Sequence, residues 1–315
     1  MITVVIPCYR VKAQVLNVLK AIGPEVGKIY VVDDACPEGS GIYVKENTTD
    51  PRVEVIILKK NLGVGGAVKT GYRKAIEDHA GIIVKLDGDG QMNPQLIRKL
   101  VDPILNRQAD YVKGNRFYDL GNLQKMPGLR RFGNAILSFI NKMASGYWNV
   151  MDPTNGFTTI SAAALKNLPL DKIDDRFFFE QDMLFRLNTI RAVVMDLPMK
   201  AEYGQENSNL KIGKVMFSFP FKYLKRMFKR IFYSYFLRDF NVGSLELVLA
   251  FLFMGFGIIF GAIKWAHSIS TGLPATAGTV ILAALPVILG FQSFLSFLHF
   301  DLTNIPQKPL TGFQD

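Results

Sequence analysis

Two long apolar segments near the C-terminal end of the chain limit what the whole protein can be. Residues 242–263 carry Glu246 as their only charged side chain, and residues 276–299 carry none apart from His299. At about 1.5 Å per residue, about 22 helical residues span roughly 33 Å, enough to cross a bilayer. Pro286 is tolerable inside such a helix. We therefore predict two transmembrane helices in preference to a buried hairpin of a soluble domain.

The positive charge of the chain is concentrated in one band. The 315 residues carry 37 Lys/Arg and 27 Asp/Glu, a net charge of +10 that by itself suggests a nucleic-acid partner. Residues 211–240 alone contribute +7, residues 1–210 contribute +4, and the remainder contributes −1. Because the band adjoins the first apolar segment, it predicts a lipid bilayer and no nucleic acid as the partner.

The same band predicts the orientation of the hairpin. A Lys/Arg excess beside a span lies on the cytoplasmic side of a membrane. Both termini, including a tail over residues 301–315, are then expected in the cytoplasm, at the cytoplasmic (inner or plasma) membrane. Two cysteines in a chain of this length fit a reducing compartment and do not form a disulfide framework.

Within residues 211–240, basic and apolar side chains alternate at helical spacing. This pattern predicts an amphipathic helix lying in the headgroup plane. Two alternatives remain, a surface helix packed on its own domain and a packing helix between subunits. Glycines in the first apolar segment also allow close packing between copies in a homo-oligomer. The basic residues are Lys222, Lys225, Arg226, Lys229 and Arg230, the apolar ones Phe221, Leu224, Phe228, Ile231, Phe232 and Tyr235, and the glycines Gly255, Gly257 and Gly261.

Residues 1–210 alternate between short Val/Ile-rich runs and helical patterns. The alternation predicts an α/β domain with a mostly parallel sheet. In such sheets, ligands bind beyond the carboxyl ends of the strands. The predicted strands are residues 3–6, 29–32, 53–58, 82–86 and 111–112, and the predicted helices lie around residues 14–22, 67–78 and 95–106.

Polar clusters follow these strands at their predicted carboxyl ends. Asp87 and Asp89 form an Asp-x-Asp pair on a glycine turn, and such carboxylates are ligands that Mg²⁺ or Mn²⁺ prefers. Asp33 and Asp34 either hydrogen-bond a nucleoside or cap a helix or turn. The glycine cluster at residues 61–67 lacks the third glycine of a dinucleotide fingerprint, which disfavours a dehydrogenase.

Taken together, the segments VVIPCY, VVDD, NLGVGGA, DGDGQ and GNR resemble the inverting GT-A glycosyltransferases of family 2. DPTNGF (152–157), FFFEQDML (177–184) and the hairpin resemble the polyprenyl-phosphate branch of that family, which includes dolichol-phosphate mannose synthases and bacterial bactoprenol glucosyltransferases. The resemblance implies a Rossmann-like GT-A domain over 1–210, juxtamembrane helices over 211–240 and the hairpin over 241–300.

The resemblance also implies roles for individual residues. Those of the nucleotide site are Pro7, Tyr9, Asp33, Asp34 and Asp87. Those of a Mg²⁺ or Mn²⁺ site are Asp87, Asp89 and Gln91. Arg116, with Arg130 or Arg131, would bind the acceptor phosphate. Asp152 would be a base or an orienting carboxylate. The implied catalytic residues are Asp89, Arg116, Arg131 and Asp152. Glu180 and Asp182 would contact the sugar, or merely complement a helix dipole.

The implied reaction is transfer of a hexose from a nucleotide sugar to a polyprenyl phosphate. UDP-glucose and undecaprenyl phosphate are the first expectation, and GDP-mannose, UDP-N-acetylglucosamine and UDP-galactose remain open. Arg10 and Val11 stand where the family commonly has Asn and Glu, and Cys36 where a Ser is usual, which weakens any inference about the base. A processive polysaccharide synthase is disfavoured because neither Trp148 nor Trp265 follows an Arg. A non-catalytic membrane scaffold is the other alternative, and it would have no need for carboxylates at several strand ends.

Overall fold

A computed structural model describes residues 1–118, 128–199 and 212–310, without the side chains of residues 129, 130 and 212–218. Its contacts divide the chain into two units. The first is Met1–Arg230 together with Pro306–Asp315, and the second is Ile231–Ile305.

The first unit is built on one sheet. Its strand order is β3-β2-β1-β4-β6-β5-β7, and every neighbouring pair is parallel except the two that involve β6. The mostly parallel α/β fold predicted from the sequence is thus confirmed. The strands are β1 (Ile2–Cys8), β2 (Lys28–Asp33), β3 (Val53–Ile57), β4 (Ile82–Lys85), β5 (Tyr111–Asn115), β6 (Thr158–Ser161) and β7 (Val194–Pro198).

Helices connect the strands. In the described residues they are α1 (Val15–Ala21), α2 (Ser40–Asn47), α3 (Val64–Glu77), α4 (Ile97–Leu105), α5 (Gly128–Ser145), α6 (Ala162–Lys166) and α7 (Phe179–Thr189). A further helix, α8 (Ile212–Phe232), follows the last strand, and its final two residues belong to the second unit. Short 3-10 turns lie at Pro94–Leu96 and Leu170–Lys172. The apolar residues of the predicted strands lie in the hydrophobic core. Val4, Val31, Val84 and Val112 are fully buried, as expected of a parallel sheet covered on both faces.

The second unit contains two long apolar helices, α9 (Val242–Thr271) and α10 (Ala277–Thr303), after a π-helical turn at Tyr233–Leu237. Asn241 and Ser244 form a reciprocal capping box that begins α9, and Gly272 ends it in the left-handed region at φ 69°. The most apolar window of α9 is only 17% buried and that of α10 only 11%, so neither is the core helix of a soluble domain. Both are long and apolar enough to cross a membrane.

Glycine packs these two helices closely. A Cβ on Gly257 would lie 2.7 Å from the Ala283 carbonyl oxygen, and one on Gly290 would lie 2.7 Å from the Met254 nitrogen. Gly257 therefore serves packing within the hairpin, whereas nothing lies within 4 Å of a Cβ on Gly255. The homo-oligomer stays a prediction.

Candidate active site

The polar clusters meet at one edge of the sheet. Strands β1, β2 and β4 are parallel neighbours, and the register pairs Cys8 with Asp33 and Val5 with Lys85. Residues that follow these strands, including Asp34 and Asp87, therefore stand along the same carboxyl edge. Pro7 lies in this edge at the end of β1, and Tyr9, just beyond it, is exposed.

Asp33 and Asp34 organise the loops of this edge. Asp33 is buried, and its carboxylate accepts the Cys36 N–H at 2.6 Å and the Gly41 N–H at 2.5 Å. Asp34 accepts the Leu62 N–H at 2.6 Å and the Gly63 N–H at 2.8 Å, and burial raises its pKa. The contacts observed are those of the capping alternative, while contact with a nucleoside stays a prediction.

The glycine cluster lets another loop approach α3. A Cβ on Gly65 would lie 2.4 Å from the Asp174 carbonyl oxygen and 2.8 Å from the Phe179 ring. The buried Lys69 fixes the same loop by donating to the Ile173 carbonyl at 2.8 Å and pairing with Asp175. These glycines therefore allow the segment before α7 to lie against the N-terminus of α3.

The first acid of the Asp-x-Asp pair is bound by a lysine that the sequence analysis missed. The buried Lys85 ammonium lies 2.8 Å from Asp87 Oδ1, 3.2 Å from Glu180 Oε1 and 3.2 Å from the Gly156 carbonyl oxygen. Burial favours the neutral amine, but Asp87 and Glu180 outweigh it and raise the pKa of Lys85. The available sequence signal was the i, i+2 spacing of Lys85 and Asp87, which follows the continuous apolar run Ile82–Val84.

Asp87 and Asp89 fit a magnesium or manganese site. Asp89 accepts the Gln91 N–H at 3.0 Å, so a tight turn joins Asp89 to Gln91, the third predicted ligand residue. In the described part of the chain, no group of three or more His, Cys, Asp and Glu side chains could hold a metal ion. Mg²⁺ at nucleotide sites is commonly held by one or two carboxylates plus substrate phosphates, so this donor set suffices.

Asp152 and Arg116 form a buried pair. The Asp152 side chain is fully buried and accepts from Arg116 Nε at 2.7 Å and Nη2 at 3.1 Å. Arg116 Nη2 also donates to the Thr154 hydroxyl at 3.0 Å. Burial opposes ionisation, but Arg116 outweighs it and holds the pKa of Asp152 below its ordinary value. An ionised carboxylate bound through both oxygens orients the guanidinium.

A second buried lysine lies beneath this pair. Lys113 donates to the Asn155 carbonyl, and burial lowers its pKa to about 8. Asp196 accepts from the Met151 N–H at 2.7 Å and from Asn115 Nδ2 at 3.1 Å, and burial raises its pKa to about 6. No motif marked either residue, because each comes from a strand, β5 or β7, whose polar positions give no recognisable spacing.

Glu180 and Asp182 have different surroundings. Glu180 faces Lys85, whereas the fully buried Asp182 side chain forms an ion pair with Arg226. Arg226 Nη2 donates to Asp182 Oδ2 at 2.9 Å, and Arg226 Nε lies 2.7 Å from Asp182 Oδ1. Asp182 also accepts the Asp174 N–H at 2.9 Å. Sugar contact by either acid stays a prediction, and both acids have protein partners.

The basic band is divided between two surroundings. Lys222 pairs with Asp174, Arg226 with Asp182, and the buried Arg230 donates to the Met143 carbonyl at 2.8 Å. Lys225 and Lys229 are exposed. The alternative of a helix packed on its own domain therefore describes the first three residues, and a headgroup position remains a prediction for the other two.

The remaining predicted acceptor residues lie on α5. Arg131 is exposed near the start of that helix, and the side chain of Arg130 lies outside the described residues. Their contact with a phosphate stays a prediction.

Similarity to known proteins identifies the family of the chain. The model of the family "Glycosyl transferase family 2" matches residues 3–168. The chain belongs to this family. It is therefore a glycosyltransferase, as the sequence motifs predicted, and the carboxyl edge described above is its candidate active site.

Curated relatives and solved structures extend the comparison. The chain is 30% identical over 243 residues, 73% of this chain and 96% of the relative, to the UDP-N-acetylglucosamine–dolichyl-phosphate N-acetylglucosaminyltransferase of Methanococcus voltae. It is 30% identical to the undecaprenyl-phosphate mannosyltransferase of Micrococcus luteus, covering 54% of this chain and 70% of that one. A structure of glucosyl-3-phosphoglycerate synthase from Mycobacterium tuberculosis, with Mn²⁺, UDP and phosphoglyceric acid, aligns at TM-score 0.53 and 16% identity. The alignment covers 73% of this chain and 78% of that one, and it supports the fold.

Proposed function

We propose that the protein transfers a hexose from a nucleotide sugar to the phosphate of a polyprenyl phosphate, with inversion at the anomeric carbon. One observation carries the proposal. The loop over residues 152–157 binds Arg116 through Asp152 at its start and packs Lys85 and Asp87 against Gly156 near its end. The guanidinium proposed to bind the acceptor phosphate and the carboxylate proposed to hold the cation of the donor diphosphate therefore contact one short loop.

The acceptor chemistry explains why Arg116 is held so firmly. A phosphate monoester has a second pKa near 6, so at pH 7 its oxygen is already largely ionised and no strong base is needed. That oxygen attacks the anomeric carbon while the bond to the donor β-phosphate oxygen breaks, and the nucleoside diphosphate leaves with the electron pair. Arg116 and Arg131 would offset the repulsion between the two phosphate groups. Asp152 then orients Arg116 and does not remove a proton.

A divalent cation at Asp87 and Asp89, beside Gln91, would stabilise the charge that develops on the leaving diphosphate. The names of the structural neighbours support this proposal, since the M. tuberculosis synthase was solved with Mn²⁺ and UDP and with Mn²⁺ and UDP-glucose. Pro7, Tyr9, Asp33 and Asp34 are proposed to line the nucleoside end of the donor site.

UDP-glucose and undecaprenyl phosphate remain the first proposal for the substrates. The M. voltae and M. luteus relatives are named for N-acetylglucosamine and mannose transfer, and for dolichyl and undecaprenyl phosphate. Their names support a lipid phosphate acceptor more strongly than they support any one sugar.

The proposed membrane arrangement depends on where the chain goes after the hairpin. The Leu310 N–H donates to both oxygens of the buried Asp110, at 2.9 and 3.0 Å, so the chain comes back to the first unit after the hairpin. A segment that leaves and returns to the same side crosses a bilayer an even number of times. Together with the basic band, this supports two spans with the catalytic unit and both termini in the cytoplasm.

The surface of the first unit also suits a bilayer. On α8, Phe221 and Phe228 are 71% and 59% exposed, and on α5, Phe132 and Phe139 are 66% and 55% exposed. The helices pack together through a cluster that includes Ala144, Phe178 and Tyr223. Exposed apolar faces of this kind mark membrane contacts. We propose that α8 meets lipid with its aromatic face, and that Lys225 and Lys229 lie at the headgroups.

A donor panel tests the proposed reaction. The full chain in lipid nanodiscs is supplied with undecaprenyl phosphate, Mg²⁺ or Mn²⁺, and labelled UDP-glucose, UDP-N-acetylglucosamine, UDP-galactose or GDP-mannose. We expect lipid-extractable label from one donor, loss of that label in Asp89→Asn, and normal labelling in Asp102→Asn, which alters a half-exposed acid on α4. Absence of lipid-linked label with every donor, or full activity of Asp89→Asn, would refute the proposal.

A further inference from the structure

The buried ammonium of Lys85 joins three elements of the candidate active site. It extends from the last residue of β4 to Asp87 on the following turn, to Glu180 in the first turn of α7, and to the Gly156 carbonyl of the loop before β6. An ammonium has three N–H donors, and here three acceptors lie within 3.2 Å of it. The Lys85 side chain is only 1% exposed, so water does not replace these contacts.

We propose that Lys85 is a positioning residue that fixes the Asp87 carboxylate, and that Glu180 acts on the reaction through Lys85 and not by contact with the sugar. The part played by Asp87 rests on the proposed function. Glu180 is 11% exposed along its side chain, and its Oε1 is occupied by the ammonium. A carboxylate that holds a divalent cation needs a partner that keeps its orientation, and such partners affect metal affinity strongly.

Charge supports this arrangement. Asp87 and Glu180 both lie within 3.2 Å of the same ammonium, so they face each other across it. Without Lys85, the partly buried Asp87 carboxylate and the nearly buried Glu180 carboxylate would repel each other, and Asp87 would lose its fixed position. Lys85 therefore allows two acids from different elements to lie close together.

Gly156 shows how little freedom the contact has. A Cβ at this position would lie 2.4 Å from Lys85 Nζ and 2.6 Å from Asp87 Oδ2. An alanine would therefore displace the ammonium and the carboxylate without changing any charge. The variant Gly156→Ala therefore tests the position of the Lys85 ammonium while its charge is kept.

Four variants of the full chain in nanodiscs test the proposal: Lys85→Met, Glu180→Gln, the double variant of these two, and Gly156→Ala. The control is Arg52→Met, which removes a partly buried cation bound to Asp50 and to the carbonyls of Gly23 and Val26, at the opposite edge of the sheet. Two quantities are measured, the kcat of sugar transfer and the binding of Mn²⁺ in the presence of UDP, followed by the electron paramagnetic resonance signal of free Mn²⁺.

We expect Lys85→Met and Gly156→Ala each to weaken Mn²⁺ binding by about 10-fold or more and to lower kcat by a similar factor, while Arg52→Met changes neither. The double variant should be no worse than Lys85→Met alone, because Glu180 acts through Lys85. Losses in kcat that multiply in the double variant would instead indicate direct sugar contact by Glu180 and overturn that half of the proposal.

Two other results would overturn the positioning role. Tighter Mn²⁺ binding in Lys85→Met would mean that the lysine only repels the cation, and unchanged binding in Gly156→Ala would mean that its position is unimportant. The Mn²⁺ titration needs no sugar transfer. It therefore tests the positioning role even if the donor panel shows that the proposed acceptor is wrong.

Discussion

The ion pair between Arg226 and Asp182 predicts that part of the basic band stabilises the catalytic unit. We consider Arg226→Met, which keeps a long unbranched side chain on α8 but removes its charge. Asp182 is fully buried and loses its ion pair with Arg226, in which Nη2 donates to Oδ2 at 2.9 Å and Nε lies 2.7 Å from Oδ1. It retains the Asp174 N–H at 2.9 Å and a more distant contact with Arg186 at 3.8 Å.

These contacts set the magnitude. Removing one partner of a buried ion pair commonly costs about 3–5 kcal/mol. The lower value applies here, about 3 kcal/mol, because Arg186 and the Asp174 N–H remain and the Arg226 side chain is 18% exposed. In a unit of this size, each kcal/mol shifts Tm by about 2–4 °C, so Arg226→Met should lower Tm by about 6–12 °C.

Thermal unfolding of the full chain in one detergent measures this effect. Lys225→Met is the matched control, because it makes the same kind of change at the preceding residue, where the side chain is exposed. Its Tm should stay within about 1 °C of the parent. Asp182→Asn combined with Arg226→Met should cost less than the sum of the single changes. Equal Tm losses in Arg226→Met and Lys225→Met would refute the reasoning.

Two further predictions concern the loops and the buried acids. Gly65→Ala should lower Tm and weaken donor binding, because its Cβ would lie 2.4 Å from the Asp174 carbonyl oxygen. The control Gly133→Ala should change neither quantity, because nothing lies within 4 Å of a Cβ at that position. Equal donor affinities of the two variants in an equilibrium titration would contradict this prediction. The pKa of Asp196 is about 6 in the folded protein and 3.8 in the unfolded chain. Between these pH values the folded state binds more protons than the unfolded state, so the free energy of unfolding falls as the pH rises from about 4 to 6. The Tm difference between the parent and Asp196→Asn should therefore change over that window and level off above it.

The sheet and the position of the site could be predicted because the spacing of apolar residues and the polar residues that follow each strand are local features of the sequence. Five of the seven strands were predicted, four of them as runs rich in Val and Ile, and the acids after β2 and β4 stand where a parallel sheet places its ligands. Neither β6, β7 nor α2 was predicted from the sequence. The four residues of β6, Thr158–Ser161, are polar or β-branched and lie inside the sheet only because β4 and β5 pair with them on both sides.

The partners of the site residues could not be predicted, because they come from distant parts of the chain. Asp182 lies 44 positions from Arg226, and Lys85 lies 71 positions from Gly156. A basic stripe at helical spacing looks the same whether it meets lipid or a buried carboxylate. Only the fold distinguishes Arg226, which is bound by Asp182, from Lys225, which is exposed.

Burial supports the location of the site independently of any motif. In the described part of the chain, burial raises the pKa of the carboxyl groups of Asp34, Asp182 and Asp196, and it lowers the pKa of Lys113 to about 8. Each shift favours the neutral form and so costs folding stability, and such groups tend to cluster where a protein performs chemistry. Here they surround the carboxyl edge, the loop over residues 152–157 and α7. The same region would have to hold two phosphate-bearing substrates together, which requires charged groups fixed in position before either substrate arrives.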